Sequence, residues 1–308
     1  MRARLAIVAL LALAGCGGED PPETAAPPQD TPTPNPTVEA APSEPGSAAN
    51  AFIGSLAVDP AGGTLIIGTG LGLFRAEQGA SKAERVIGEL TTPDGTGPVS
   101  SNLVVRYAAP GELLGSGHPE GGASPLPENL GLIRSADSGD TWEPVSQLGD
   151  SDLHIIQARG DRVVAVRAEE IDIQVSTDRG SSFDTRTPPD TPLDVDFDPE
   201  DPERMVVATQ QGTFSSGDGG RSWRPRDPNP SDQLVWAAPE ALYRSDPGGQ
   251  IKVSADGGAT WKDRGNVGLS VNELAADDDG NLYVSVPGGE VHRSTDGGAT
   301  WKRLLRLE

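Results

Sequence analysis

The chain has one cysteine in 308 residues, Cys16, so no disulfide forms within it and the fold is held by other means. With only three histidines, and no Cys pair or His-x-x-x-His spacing, it offers no sharp metal-binding signature. Cations are scarce too. Lys and Arg number 24 against 46 Asp and Glu, a formal charge of −22, and so acidic a surface repels phosphate backbones and argues against a nucleic-acid partner. The apolar run Leu5 to Ala14 has ten residues, too few to span a bilayer, where about 20 are needed. Beyond residue 51 no long stretch carries helical periodicity. What is abundant is turn chemistry, 39 Gly and 28 Pro, as in an all-β chain.

One phrase, Ser-x-Asp-x-Gly-x-(Thr/Ser)-(Trp/Phe), occurs five times: Ser135 to Trp142, Ser176 to Phe183, Ser216 to Trp223, Ser254 to Trp261 and Ser294 to Trp301. The starts are separated by 41, 40, 38 and 40 residues, a period that predicts a propeller with one four-stranded blade per repeat. The phrase suits the turn between third and fourth strands. Its Asp (Asp137, Asp178, Asp218, Asp256, Asp296) accepts backbone N–H bonds and its central Gly takes positive φ. Its ring (Trp142, Phe183, Trp223, Trp261, Trp301) starts the outer strand and wedges into apolar space. The last unit shows four short strands, at 271–276, 281–286, 290–294 and 300–304. Similar units start at Gln233, Leu193, Asp152 and Asn102. A degenerate first unit, from Ile53, has Ala76 and Gln78 where Ser and Asp belong, so six blades are expected.

The phrase is similar to the Asp-box, or BNR, repeat, and residues 52 to 308 resemble the propellers of the sialidase superfamily and related sortilin-like and photosystem-assembly propellers. The resemblance implies a structural box on the face away from any active site. It also implies what a true sialidase carries: a Phe-Arg-Ile-Pro segment, three carboxylate-gripping arginines, a Tyr nucleophile paired with Glu, and an Asp acid/base. The nearest match to the first, Phe74 to Glu77, fails on register. Arg75 aligns with Arg134 and Arg293, Tyr243 with Tyr283, and Tyr107 with Trp236, so all are repeat positions. Blades this short leave little loop for a catalytic pocket. No catalytic residues are assigned, and a sialidase-like exo-glycosidase stays the alternative. Segments 115–119 and 151–154 also resemble bacterial secreted Asp-box proteins classed with glycosyl hydrolases, which implies superfamily membership but no particular activity.

Arg2 and Arg4 precede the apolar run, which ends in Leu13, Ala14, Gly15 and Cys16. This resembles the end of a lipoprotein signal peptide and matches the bacterial lipobox, implying cleavage after residue 15 and lipidation of Cys16. Residues 17–50 hold nine prolines and six acids with no Lys, Arg or aromatic, the composition of a disordered tether. At about 3.1 Å per residue it would reach roughly 100 Å. The expected organisation is a signal peptide over 1–15, a lipidated tether over 16–50 and a monomeric six-bladed propeller over 51–308, anchored at the cell envelope.

One region departs from the minimal repeat. The loop from Gly117 to Asn129 is long, and the 88–101 connection and the approach to blade three are expected to reach the same face, opposite the boxes. There His118, Glu120, Asp152, His154, Glu169 and Glu170 form a candidate set for a divalent metal, or for orienting a sugar or peptide carboxylate. The same residues fit a structural role, with His118 capping its loop and His154 packed in the first strand. His292 is expected at the surface. The resulting expectation is a scaffold that docks an unknown protein or glycan on its top face, with an envelope assembly factor as a further alternative.

Overall fold

The computed structural model describes residues 51–308 except 62, 100, 101, 120–123, 169 and 170. Cys16, the expected signal peptide and the expected tether lie outside the described residues, as do Glu120, Glu169 and Glu170. Those described form β-strands and no helix. Blade one is β1 (Ile53–Val58), β2 (Leu65–Thr69), β3 (Gly72–Ala76) and β4 (Glu84–Val86). A hairpin, β5 (Gly88–Thr92) and β6 (Gly95–Val99), precedes blade two, formed by β7 (Val104–Ala109), β8 (Glu112–Ser116), β9 (Leu132–Ser135) and β10 (Thr141–Ser146). Blade three is β11 (Leu153–Arg159), β12 (Arg162–Arg167), β13 (Ile173–Ser176) and β14 (Asp184–Arg186). Blade four is β15 (Pro192–Phe197), β16 (Met205–Thr209), β17 (Gly212–Ser216) and β18 (Arg224–Asp227). Blade five is β19 (Gln233–Ala238), β20 (Ala241–Asp246), β21 (Gln250–Ser254) and β22 (Lys262–Asn266). Blade six is β23 (Glu273–Ala276), β24 (Leu282–Val286), β25 (Glu290–Ser294) and β26 (Lys302–Arg306).

The first strands neighbour one another in the order β1, β7, β11, β15, β19, β23 and back to β1, which closes a six-bladed propeller. Among the described residues no strand is lent across the closure. Blades one and six meet through Ile53, Leu56 and Ile67 on one side and Ala275, Tyr283 and Leu305 on the other. Lys82 and Glu308 pair at 2.7 Å at the rim. Each Ile or Leu among them, fully buried, contributes about 1.5–3 kcal/mol, and the seams between blades therefore hold the ring without a disulfide.

The five octapeptides fold alike. In blade two the Ser135 hydroxyl donates to Asp137 Oδ1 at 2.8 Å and accepts from Gly139 N at 2.9 Å. Asp137 then accepts from Thr141 N at 2.8 Å and from its hydroxyl at 2.6 Å. The fifth position needs positive φ, and Gly139 (100°), Gly180 (84°), Gly220 (81°), Gly258 (85°) and Gly298 (85°) supply it. The acids give up their protons readily. Hydroxyl donation from Ser182 and from Thr300, joined by other hydrogen bonds of their turns, lowers Asp178 and Asp296 to about 2 each, and Ser222 acts likewise on Asp218. The following ring opens the outer strand only in blade two; elsewhere it stands just before that strand.

Strand alternation puts the octapeptides and the turns between first and second strands on one face. Hydrogen bonds from Gly219 N to Glu203 O and from Arg179 N to Asp161 O, each 2.9 Å, tie the two together. The turns between second and third strands and the links between blades share the opposite, top face.

The 88–101 connection corrects the expectation of a long top-face loop. It is the β5–β6 hairpin, and β5 pairs in parallel with the outer strand β10, Glu89 opposite Thr141 and Leu90 opposite Trp142. Blade two thus has six strands. Alternation along β5 buries Leu90 while Glu89 is exposed. The long loop after β8 folds back on the hairpin, burying Leu126 and Leu130 with Leu90, Val99 and Trp142. The extra length in this region therefore adds to the core.

Candidate functional site

The approach to β11 and the loop after β8 meet on the top face. His154 Nε2 donates to Asp152 Oδ2 at 2.7 Å, and His118 Nε2 stands 3.4 Å from the same oxygen. His118 Nδ1 lies 2.8 Å from Glu128 O, which only accepts, so Nδ1 carries a proton. The contact between His118 Nε2 and Asp152 is then attractive when the ring holds both protons. Asp152 is buried, whereas His154 is exposed at the rim, contrary to its expected packing in the first strand. His292 also departs from expectation. It is half-buried, 3.0 Å from Glu290 Oε2.

The two histidines and Asp152 line a groove of about 460 Å³ with Phe52, Thr69, Asn102 and Leu103. Among the described residues no three His, Cys, Asp or Glu side chains are grouped to hold a metal ion. The imidazole nitrogens spend themselves on one carboxylate oxygen at hydrogen-bonding distances, whereas ligands of a common ion would each stand about 2.0–2.2 Å from it. Zn²⁺ binding would require this cluster to rearrange.

Below the groove, sharing its walls at Gly54, Val104 and His154, a constriction of about 100 Å³ enters the central channel. Ser55, Asp194, Gln233 and Glu273 hold one register slot on the first strands of blades one, four, five and six. In this slot Ser55 donates to Leu103 O at 3.0 Å and Asp194 accepts from Leu234 N at 2.7 Å, so each staples its blade to the next. Arg106 reaches Ile156 O at 3.3 Å and Leu56 O at 3.4 Å. Burial pushes Asp194 up to about 7, opposed by the Leu234 N–H and by Arg106. Burial also pushes Glu273 upward, although solvent entering the channel moderates the push on this half-buried group. Sequence reasoning missed this polar ring. Aligning the first-strand slot across blades, as was done for the octapeptide, would have found it.

The arginines of the repeat position ahead of the octapeptide do not meet one another. Arg75 binds Asp140 at 2.9 Å, Arg134 binds Glu143 at 2.5 Å, and Arg293 lies over the Tyr283 ring at 5.6 Å. Tyr107, Tyr243 and Tyr283 all pack in seams between blades.

No protein-family model matches the chain, and no curated protein does. Solved propellers do. An ancestral GH74 enzyme superposes with a TM-score of 0.50 at 13% identity, over 81% of this chain and 35% of that one. YCF48 from Cyanidioschyzon merolae gives 0.47 at 14% identity over 82% and 85%, and YCF48 bound to D1 peptide gives 0.42 at 17% over 65% of each. The chain thus spans about a third of the GH74 enzyme's length, and at these identities the likeness is one of fold: this chain is a six-bladed β-propeller similar in architecture to those proteins.

Proposed function

We propose that the protein is a lipid-anchored propeller of the Asp-box kind that docks a polypeptide on its top face without turning it over. In this reading residues 1–15 direct export, Cys16 carries the lipid, 16–50 form the tether and 51–308 the displayed domain. The observation that carries it is an asymmetry between faces. Four of the five large exposed apolar side chains among the described residues, Phe52, Leu71, Ile171 and Leu269, stand on top-face segments, and Phe52 borders the groove. Exposed apolar side chains on one side, beside a groove with a few polar groups, are the usual mark of a docking face. The charge of −22 favours a partner with basic residues around its apolar contact. The peptide in one YCF48 structure is a precedent for docking on a related architecture. The separation of Arg75, Arg134 and Arg293, each held by a different partner, supports docking over the sialidase-like alternative.

The test places a photo-crosslinker at Phe52 of the full chain in a bacterial host, with Ala259 on the octapeptide face as control. A discrete polypeptide adduct from Phe52 alone, diminished by His154→Ala, is the expected result. Equal adducts from both faces, or none, overturn docking. Turnover of fluorogenic sialosides or glycosides that is lost in His118→Ala or His154→Ala replaces it with catalysis. Cys16→Ser is expected to move the protein from the membrane to the soluble fraction.

A further inference from the structure

Three outer strands place an arginine three residues after the ring of their octapeptide: Arg186, Arg226 and Arg264. Two of them latch onto the next blade. Arg186 Nε donates to Gly219 O at 3.2 Å, and Arg264 donates to Gly297 O at 3.0 Å and Asp296 O at 2.9 Å. Ser146 does the same for Gly180 O at 2.6 Å. Arg226 does not. Its Nε donates to Ser215 Oγ of its own blade at 2.5 Å. One residue marks the difference: Ser215 occupies the position held by Val175 in blade three and Val253 in blade five. A hydroxyl there accepts the guanidinium, which valine cannot do.

With its latch turned inward, the octapeptide face between blades four and five opens into a crevice of about 340 Å³ lined by Arg204, Arg224, Arg226, Ser215, Ser222 and Gly257, among others. Its two acids are already saturated. Asp218 accepts from Ser216 Oγ, Ser222 N and Ser222 Oγ at 2.7, 2.9 and 2.6 Å. Asp256 accepts from Ser254 Oγ, Thr260 N and Thr260 Oγ1 at 2.8, 2.8 and 2.7 Å. Arg204 is neutralised by Asp198 at 2.6 Å. The Arg224 side chain has no hydrogen-bond or ion-pair partner among the described residues, and there the side chain of Arg226 bonds only a neutral hydroxyl. In a chain of charge −22, two guanidinium groups here face a common space and neither is ion-paired, the ionised Asp218 and Asp256 at its edge being turned to their own octapeptides.

We propose that this crevice binds an oxyanion, the carboxylate, sulfate or phosphate of a small polar ligand, between Arg224 and Arg226, with Ser222 and the free carbonyls of the blade-five octapeptide taking its hydroxyls. Guanidinium matches planar or tetrahedral oxyanions in two-point contact. The site lies on the face opposite the docking groove and does not depend on it.

The test is calorimetric titration of the full chain with sodium sulfate, inorganic phosphate and D-glucuronate, each at constant ionic strength against a chloride control. Saturable binding of at least one is expected, weakened at least tenfold in Arg226→Gln and in Arg224→Gln. Glucuronate alone identifies a sugar acid, and sulfate or phosphate alone a tetrahedral group. Ser215→Val is the sharper variant. It frees Arg226 to latch onto the blade-five octapeptide, so it is expected to abolish binding while raising the unfolding temperature, which separates site loss from misfolding. Absence of saturable binding, binding equal in chloride, or binding unchanged in the arginine variants overturns the proposal.

Discussion

The seam between blades five and six and the seam between blades four and five are built on the same repeat and filled differently. Val235, Ile251, Leu274, Leu282, Val284 and Val286 make the first almost wholly apolar. In the second, Val206, Leu234, Trp236 and Leu242 form a smaller apolar patch. Its outer part is polar, because Thr213 stands where blade five has Ile251, Ser215 where it has Val253, and Arg244 where blade six has Val284. Arg244 is fully buried over the Trp261 ring at 4.5 Å, 3.0 Å from Asp227 and 2.9 Å from Asp246. These are ion pairs without well-aligned hydrogen bonds, and several polar atoms around them lack partners. The octapeptide therefore specifies that a blade exists, and leaves open whether its seam is closed by apolar burial or by charge.

The largest effect separating the two seams is expected from Asp196→Ala. Asp196 takes both ends of the Arg159 guanidinium, at 2.7 and 3.2 Å, and the Trp236 N–H at 2.8 Å. Its loss leaves buried donors unpaired and costs about 4 kcal/mol. Ile251→Ala in the apolar seam costs about 3 kcal/mol through its cavity. Urea midpoints check both, and a smaller loss in the first than in the second breaks the contrast. Next comes Arg244→Val, expected to cost about 3 kcal/mol because Asp227 loses its cation and Asp246 keeps only Lys252, at 3.0 Å. Adding Asp246→Val, which copies Val286 of blade six, is expected to recover most of that loss. Additive losses in the double variant would mean that Arg244 is held by packing alone.

The channel and the rim should differ in pH response. Asp194, about 7 when folded against an ordinary 3.8, is protonated in both states at low pH. As pH rises from about 4 to 7 the unfolded chain ionises first, so stability falls, by about 2 kcal/mol once the solvent-admitting channel is allowed for. The octapeptide acids act in the opposite sense: Asp178 and Asp296, lowered to about 2, contribute above their ordinary 3.8 and lose that contribution as pH falls toward 2. Maximal stability is expected near pH 4 to 5. Asp194→Asn should flatten the decline toward neutrality and leave the acid limb unchanged, and parallel pH curves for the two proteins would remove Asp194 as its source.

Period and turn chemistry made the blades legible, because Ser, Asp, Gly and the ring act within eight residues of one another. The β5–β6 hairpin was not legible. Leu90 and Val99 carry an alternating pattern too short to distinguish from a loop, and β5 finds its partner β10 some fifty residues later, in a parallel pairing that no local signal marks. The meeting of His118, Asp152 and His154 was legible as proximity, since register alone brings them to one face. Its chemistry was not, because whether two imidazoles flank a metal or share one carboxylate depends on distances near 3 Å.

The smallest effect discriminates most finely between seams. Arg264→Gln removes two bonds to the carbonyls of blade six and is expected to cost about 1 kcal/mol, as exposed charge-assisted bonds do. Arg226→Gln, the same change at the same repeat position, is expected to cost half of that or less, since Arg226 holds only Ser215 and bridges no seam. In a Ser215→Val background the arginine latches, and its removal should then cost as much as that of Arg264. A double-mutant cycle on Ser215 and Arg226, read by thermal unfolding, measures this directly. If removing Arg226 costs the same whether residue 215 is serine or valine, the hydroxyl is not what turns the side chain inward, and the open seam has some other cause.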